Sequence, residues 1–311
     1  METTAIKTVK ELAGEFKDRL DTISKINTEF IGIPSGFYSL DVIIKGFQTS
    51  NLVLVGGAEG MGKTAFVVSL LSNMAIVNQC PIAFFSLRIP SHQLLQLIIR
   101  QQTNLSSEKI RLGLLNEDEM ALLAIKTEAF EEAPLYIVDY PFLTVNDIED
   151  YVIQLVHSYS VKIIVIDSLE SIAVNKNDKV GKVLNKRELS KISFQLKELA
   201  VKLDIAILVL FHIEDKVLGK FYRRRPLLSD IRKYAPIDTY ADLILLLYNP
   251  EYYKIDEWDD NIGSPTSGEA EIIVAKNTNG ILENARLQFI GSLNKFDNLS
   301  SNANLDTDLP F

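Results

Sequence analysis

A glycine-rich segment limits what this chain can fold into more than any other feature. It reads Gly57-x-x-x-x-Gly62-Lys63-Thr64, after an apolar run typical of a buried strand and before an apolar stretch of helical spacing. Glycine leaves the backbone free to adopt positive φ and to point successive N–H groups at an anion. Lys63 then brings positive charge to the outer phosphates of a nucleotide, and the hydroxyl of Thr64 binds magnesium. The strand, loop and helix order predicts a phosphate-binding loop rather than a chance glycine-rich turn.

The predicted nucleotide contacts of this loop are continuous in sequence: Gly57, Ala58, Glu59, Gly60, Met61, Gly62, Lys63, Thr64 and Ala65. A second segment, from Val161 to Asp167, is predicted to be a buried strand that ends in a carboxylate. Asp167 is the predicted partner of Thr64 on magnesium. His212 ends the next apolar strand, where its ring would either sense the terminal phosphate or bond a neighbouring carbonyl. The predicted catalytic set is Lys63, Thr64, Asp167 and His212.

Composition excludes several classes of protein. With 311 residues and 47% hydrophobic content, the chain can bury a substantial core. Its longest apolar runs fall far short of the roughly 20 residues that cross a bilayer, and its first residues lack a signal-peptide pattern, so a cytoplasmic location is expected. Cys80, the single cysteine, is predicted to fill core space. A net charge of −9 means that any nucleic-acid contact must come from local basic segments.

Strand and helix patterns alternate along most of the chain, which predicts an α/β fold with a mainly parallel twisted sheet and helices on both faces. An amphipathic helix over 4–26 precedes this core. The predicted strands are 52–55, 81–87, 135–138, 162–167, 205–211 and 242–248, with a hairpin of 269–276 and 284–290. The predicted helices are 63–78, 91–103, 116–132, 145–158 and 187–203.

Two segments that follow strand ends carry most of the local positive charge. The first, 175–187, contains Lys176, Lys179, Lys182 and Lys186, and the second, 216–225, contains Lys220, Arg223, Arg224 and Arg225 beside two aromatic residues. Cations interleaved with aromatic rings suit single-stranded nucleic acid. A solvated loop with no function explains either segment alone, but two at one sheet edge favour DNA binding.

Taken together, these segments resemble the C-terminal motor domain of the DnaB-type hexameric replicative helicases, a branch of the RecA-like P-loop ATPases. The resemblance covers about 32–298. It rests on Ile33 to Asp41, Met61 to Thr64, Phe85 to Ser91, Ile166-Asp167, Arg225 to Arg232, Ala241 to Ile244, Glu271 to Gly280 and Phe296 to Asn298. It implies a domain plan of a linker helix (1–31), an ATP-binding domain (32–298) and a disordered acidic tail (299–311). It also implies ATP and Mg²⁺ held between subunits of a ring on single-stranded DNA, with Lys276 in the nucleotide contact.

Two departures from the family pattern concern hydrolysis. The family usually reads Phe-Ser-Leu-Glu-Met-Pro after the second strand, where the glutamate activates water, whereas this chain has Arg88 there. The family's arginine finger in Lys-Gln-Arg-Asn-Gly is Thr278 here. A positioned carboxylate increases the reaction rate about 10²- to 10⁴-fold, and an arginine finger increases it about 10³-fold or more. Because this chain has neither group at the family positions, slow hydrolysis is expected. Glu59 and Glu170 are the nearby acids that could substitute.

Three hypotheses remain open. The first is a ring-forming helicase with weakened hydrolysis, either as a homo-oligomer, expected to be a hexamer, or in a mixed ring with another helicase. The second is a non-hydrolysing nucleotide-binding scaffold that associates with DNA or a replication helicase. The third is a RecA-like recombination regulator, for which Phe296 to Asn298 fits poorly. The tail from Asp306 to Phe311 resembles the tip of single-stranded-DNA-binding proteins, which docks on replication proteins, and an inert terminus explains it equally well.

Overall fold

The structure, a computed structural model, describes residues 8–14, 17, 30–178, 182–214, 225–260 and 262–299. Of the amphipathic helix predicted over 4–26, residues 9–14 are helical, and most of the remainder lies outside the described residues. The tail from Asp306 to Phe311 also lies outside them.

One sheet of nine strands carries the described part of the chain, in the order β3-β2-β4-β5-β1-β6-β7-β8-β9. Neighbours from β3 to β6 pair in parallel, and β6 to β9 pair antiparallel. The predicted mainly parallel sheet and its terminal hairpin are confirmed. The strands are Leu52–Gly57 (β1), Ile82–Ser86 (β2), Leu135–Asp139 (β3), Ile163–Asp167 (β4), Ala206–His212 (β5), Leu243–Tyr248 (β6), Glu269–Asn277 (β7), Asn284–Ile290 (β8) and Lys295–Asp297 (β9).

Helices cover the sheet, and several begin where the sequence supplies a cap. The side chains of Asn116, Thr144 and Asn185 each accept a backbone N–H from the first turn of the following helix. The backbone N–H of each cap residue in turn donates to the side-chain carboxylate of the third helical residue. The α-helices are Tyr38–Ile44 (α1), Lys63–Leu71 (α2), Ser91–Thr103 (α3), Ser107–Leu112 (α4), Glu117–Glu131 (α5), Val145–Tyr159 (α6), Lys186–Leu203 (α7) and Leu228–Tyr234 (α8). Short 3₁₀ helices span Leu169–Ser171, Pro236–Thr239, Glu251–Tyr253 and Gly291–Leu293.

The structure differs from the sequence prediction in a few elements. The helix predicted over 63–78 is α-helical only to Leu71 and continues as a π-helical turn, Ser72–Val77. The first strand extends to Gly57, beyond the predicted 52–55. Three short helices, α1, α4 and α8, and the edge strand β9 were not predicted, because segments of three to seven residues are too short to show a periodic pattern.

The buried core positions the functional edge of the sheet. All residues of β1, β2, β4 and β6 are buried, as expected of strands covered on both faces. Register places Gly57 opposite His212 and Ser86 opposite Asp167. The carboxyl ends of β1, β2, β4 and β5 therefore meet at one edge, where ligands bind in open α/β sheets. No helix within the described ranges is long and apolar enough to cross a membrane.

Candidate nucleotide-binding site

The turn between β1 and α2 has the backbone conformation that a phosphate-binding loop needs. Gly60 and Gly62 have φ of 79° and 80°, a region that side chains rarely adopt. A Cβ at Gly60 would lie 2.4 Å from the ring of Tyr252, so this position also lacks room for a side chain. Gly57 belongs to β1 and does not have positive φ, so the prediction that its backbone needs positive φ is wrong. A Cβ added at Gly57 would lie 3.1 Å from the carbonyl oxygen of Leu247, so a side chain there would be crowded.

Two of the predicted contacts turn their side chains into the protein. Ala58 is 1% exposed and Met61 is 2% exposed. The sulfur of Met61 accepts a hydrogen bond of 3.4 Å from the backbone N–H of Asn249. At these positions only the backbone can face a nucleotide, which is how such loops bind phosphate.

Lys63 is held over the loop by the loop's own carbonyls. Its Nζ donates hydrogen bonds of 2.8 Å to the oxygen of Gly57 and 2.7 Å to that of Ala58. Burial lowers the pKa of this ammonium group from its ordinary value to about 8, and the nearby Arg88 lowers it further while Glu170 opposes the shift. A desolvated cation that is bonded only to neutral carbonyls is strongly stabilised when an anion binds beside it.

Thr64 and Asp167 form the pair that could hold a divalent cation. The Thr64 side chain is hydrogen-bonded to the Asp167 carboxylate, and burial raises the pKa of that carboxyl while Arg88 lowers it. Asp167 is only 3% exposed. Magnesium in nucleotide sites is commonly held by one or two protein oxygens together with phosphate oxygens, so this donor set fits it. Across the described residues, no group of three or more His, Cys, Asp or Glu side chains could form a protein-only metal site.

Glu170 joins two elements at the back of the cleft. Its Oε1 accepts a 2.7 Å bond from the backbone N–H of His212 and a 3.0 Å bond from the hydroxyl of Tyr234 on α8. Burial and this carboxylate raise the pKa of Tyr234 well above its ordinary value. The second carboxylate oxygen, Oε2, is buried and has no hydrogen-bond partner among the described residues. An unpaired buried oxygen is costly, which marks Glu170 as a functional candidate.

His212 ends β5 directly opposite Gly57, and its side chain lines the cleft. Burial is the main cause that lowers its pKa, and Lys63 adds to the shift, so the imidazole is neutral at pH 7. Within the described part of the chain the ring makes no hydrogen bond, whereas the backbone N–H of His212 donates to Glu170. This geometry favours the phosphate-sensing interpretation over a bond to a neighbouring carbonyl, and the sensing role stays a prediction.

The cleft formed by these residues encloses about 560 Å³. That volume is within the range of small-molecule sites. Arg88, Ser168 and Ser171 line it on the side of β2 and β4, and Phe289 and Asn294 line the other side. Phe289 and Asn294 were not predicted, since neither lies in a motif and only the antiparallel end of the sheet brings them to the loop. Glu59 is exposed at the cleft, so it stays a candidate acid.

Lys276 and Thr278 do not line the nucleotide cleft of their own chain. Lys276 Nζ donates a 2.8 Å bond to the carbonyl oxygen of Asp238. Thr278 is exposed at the end of β7, where its backbone N–H bonds Asp242. A contact of Lys276 with nucleotide would therefore have to reach a neighbouring subunit, and it stays a prediction.

The cations predicted to bind DNA are mostly paired where the structure describes them. Lys176 lies 2.9 Å from Asp147, and Lys182 lies 3.3 Å and 2.8 Å from Asp178 and Glu188. Lys186 donates to the carbonyl oxygen of Lys233 at 2.7 Å. Lys179, Lys220, Arg223 and Arg224 lie outside the described residues.

Arg225 has the most extensive pairing of this group. Its guanidinium makes two hydrogen bonds, of 2.7 and 2.6 Å, to the buried carboxylate of Glu271. It also lies 5.6 Å from the ring centre of Tyr248 and 6.0 Å from that of Trp258. A contact between Arg225 and DNA stays a prediction that would compete with this structural role.

Comparison with protein families finds a match over most of the chain. Residues 32–298 match the DnaB-like helicase C terminal domain. The replicative DNA helicase DnaB of Geobacillus stearothermophilus is 32% identical over 295 residues, which is 95% of this chain and 63% of that protein. The chain thus spans less than two thirds of the length of this relative.

Two solved structures have the same fold. One, described as an ATPase domain, superposes with a TM-score of 0.83 at 25% identity, covering 95% of this chain and all of that one. The other, a DnaB-like replicative helicase described with its interactions with primase, superposes with a TM-score of 0.79 at 24% identity, covering 96% of this chain and 69% of that one.

Proposed function

Since this chain belongs to the DnaB-like helicase C-terminal domain family, we propose that it binds ATP with magnesium at the 57–64 loop. The fold is the predicted RecA-like ATPase fold. One observation supports the proposal above all: Lys63 is poised on the loop carbonyls at the N-terminus of α2, beside the Thr64 and Asp167 pair. Loop N–H groups and the positive end of the helix dipole would receive the inner phosphates.

The residues of the cleft have separate tasks in this proposal. Thr64 and Asp167 would hold magnesium, which neutralises phosphate charge when bound. Lys63 would give up its two hydrogen bonds to loop carbonyls and donate to the outer phosphates instead. Its ammonium group would then have a negatively charged partner in place of two neutral ones. Phe289 and Asn294 stand on the side of the loop away from Arg88, where the base and ribose would lie.

We propose that hydrolysis is weakened, because Arg88 and Thr278 stand where a carboxylate and an arginine are expected. Glu170 is the acid best placed to activate water in their absence. It lines the cleft, it is the strongest charged influence on Lys63, and it keeps one carboxylate oxygen unpaired. The Oε1 bonds to His212 and Tyr234 would hold it in place.

The rest of the proposal concerns the assembly. A ring, expected to be hexameric, would carry single-stranded DNA on its basic segments, either as a homo-oligomer or mixed with another helicase. Support comes from family membership and from Thr278 and Lys276, which do not line the cleft of their own chain. A cytoplasmic location and a replication-protein partner for the tail belong to the same proposal.

A second function, a nucleotide-binding scaffold without hydrolysis, is favoured by Arg88, which places a cation inside the cleft. Both functions share nucleotide binding, so only turnover distinguishes them.

The test measures Mg-ATP binding first and then steady-state ATP hydrolysis, with and without single-stranded DNA. Lys63→Ala should abolish binding, because its ammonium group is the one that the loop carbonyls hold in place. Glu170→Gln keeps an acceptor for His212 and Tyr234 but cannot take a proton, so it should remove residual hydrolysis and leave binding within about threefold. The matched control Glu128→Gln, at an exposed glutamate on α5 that does not line the cleft, should change neither.

DNA-stimulated turnover in the unchanged chain supports the motor. Binding with background turnover supports the scaffold. A chain that binds no nucleotide, or Lys63→Ala that binds as well as the unchanged chain, refutes both.

A further inference from the structure

We propose that Arg88 binds the terminal phosphate of ATP from within its own chain, so that the cleft selects a nucleoside triphosphate over a diphosphate. This inference rests on the proposed ATP binding and assigns the residue that sets its specificity. It gives a binding role to a position whose charge is unfavourable for activating water.

The backbone around Arg88 is fixed at the edge of the sheet. The N–H of Leu87 donates a 3.1 Å bond to the carbonyl oxygen of Asp167, which ties the turn to β4. The hydroxyl of Ser86 bonds the carbonyl oxygen of Ile89, and the N–H of Ser91 bonds Asp139 at 2.8 Å. The Cα of Arg88 is therefore held beside Asp167, and only the side chain has to be ordered by a ligand.

The guanidinium of Arg88 has no protein partner in the described part of the chain. It is exposed, it lines the cleft, and no described residue forms a hydrogen bond or ion pair with it. Two acids stand nearby, but Thr64 bonds Asp167, and His212 and Tyr234 bond Glu170. An arginine with a merely structural role in such a place would pair with one of them, as Arg225 pairs with Glu271.

The charges around Arg88 locate its target. It acts electrostatically on Lys63, Asp167 and His212, the groups that surround the outer end of a nucleotide bound at the loop. The positive charges of Lys63 and Arg88 repel each other until an anion lies between them. The base and ribose would lie beside Phe289 and Asn294, which line the other side of the cleft, so Arg88 would not contact them.

The arginine that stabilises charge at the terminal phosphate can come either from the same chain or from a neighbouring protein. Thr278, at the family's finger position, carries no charge and lies outside this cleft. Arg88 is the described arginine that lines the cleft, so it supplies the guanidinium that is missing at position 278.

The experiment measures dissociation constants for Mg-ATP, for a non-hydrolysable β,γ-imido analogue and for Mg-ADP. Arg88→Gln should weaken binding of both triphosphates by about tenfold or more, the effect of losing one charged hydrogen bond, and weaken Mg-ADP by less than about threefold. Arg88→Lys should recover part of the loss, because it keeps the charge without the forked geometry. Arg111→Gln, a matched change of an exposed arginine on α4, should leave all three constants unchanged.

Equal losses for ATP and ADP, or no loss for either, would overturn the inference while leaving the proposed ATP binding intact. If the unchanged chain binds no nucleotide, the proposed function fails and the inference fails with it. Thermal unfolding of Arg88→Gln should match that of the unchanged chain, because no described residue bonds this side chain in the folded protein. A large loss of stability would instead reveal a structural role and count against the inference.

Discussion

At the scale of single residues, Lys63 shows how burial affects a charge in the proposed ATP site. Burial lowers the pKa of its ammonium group to about 8, although two carbonyl oxygens accept hydrogen bonds from it. Four charged groups act on it: Glu170, Asp167 and Glu59 favour the protonated form, whereas Arg88 disfavours it. Bound phosphate adds negative charge and restores the pKa toward its ordinary range, so binding and protonation are coupled.

ATP binding should therefore weaken as pH rises through the pKa of Lys63. Below pH 8 the free protein already carries the proton that the complex needs, and above it binding must draw a proton from solvent. Affinity for Mg-ATP should fall about tenfold between pH 7 and pH 9, measured by titration at constant ionic strength.

Lys63→Arg provides the control for this pH dependence, because a guanidinium does not deprotonate in this range. It should bind more weakly than the unchanged chain, and its affinity should not vary with pH. A flat profile for the unchanged chain would contradict the coupling.

At the scale of elements, the antiparallel end of the sheet is held by a cation that the sequence analysis predicted to bind DNA. Arg225 forms two bonds to Glu271 on β7, and Asn284 on β8 adds a 3.1 Å bond to the same carboxylate. The Glu271 side chain is 4% exposed and that of Arg225 is 36% exposed. Removing the arginine would leave a buried carboxylate with one neutral donor.

Arg225→Ala should lower the free energy of unfolding by about 2 to 3 kcal/mol, less than the roughly 3 to 5 kcal/mol of a fully buried pair because Arg225 is partly solvated. Denaturant unfolding measures this loss. Lys202→Ala, which breaks an exposed pair with Glu149 at 2.6 Å, should cost less than about 1 kcal/mol. Unchanged stability together with lost binding of single-stranded DNA would instead support the predicted DNA contact.

At the scale of the whole molecule, the two departures from the family pattern lie in different places. Arg88 lines the cleft at the end of β2, whereas Thr278 is exposed just beyond β7 and does not line that cleft. One chain cannot bring both to one nucleotide. Any catalytic effect of position 278 therefore requires a second subunit.

Restoring both groups should test this arrangement. Arg88→Glu combined with Thr278→Arg should raise ATP turnover at least about tenfold over the unchanged chain, given the contributions of a water-activating carboxylate and an arginine finger. The comparison control is Arg88→Glu with Asn279→Arg, which adds the same charge one exposed position away. No rise in steady-state hydrolysis, or an equal rise in the control, would show that the machinery has diverged beyond these two positions.

The sequence by itself determined the strands, the longer helices and the phosphate-binding loop, because each depends on local periodicity and on the glycines within one short segment. Asp167 and His212 were identified from a local pattern too, since each is the last residue of an apolar strand. Only the tertiary structure decided which distant side chains meet. It joined Glu170 to Tyr234, Arg225 to Glu271, and Phe289 to the loop at Lys63. These contacts depend on the order of the strands and the packing of helices on them, and no spacing along the chain encodes that order.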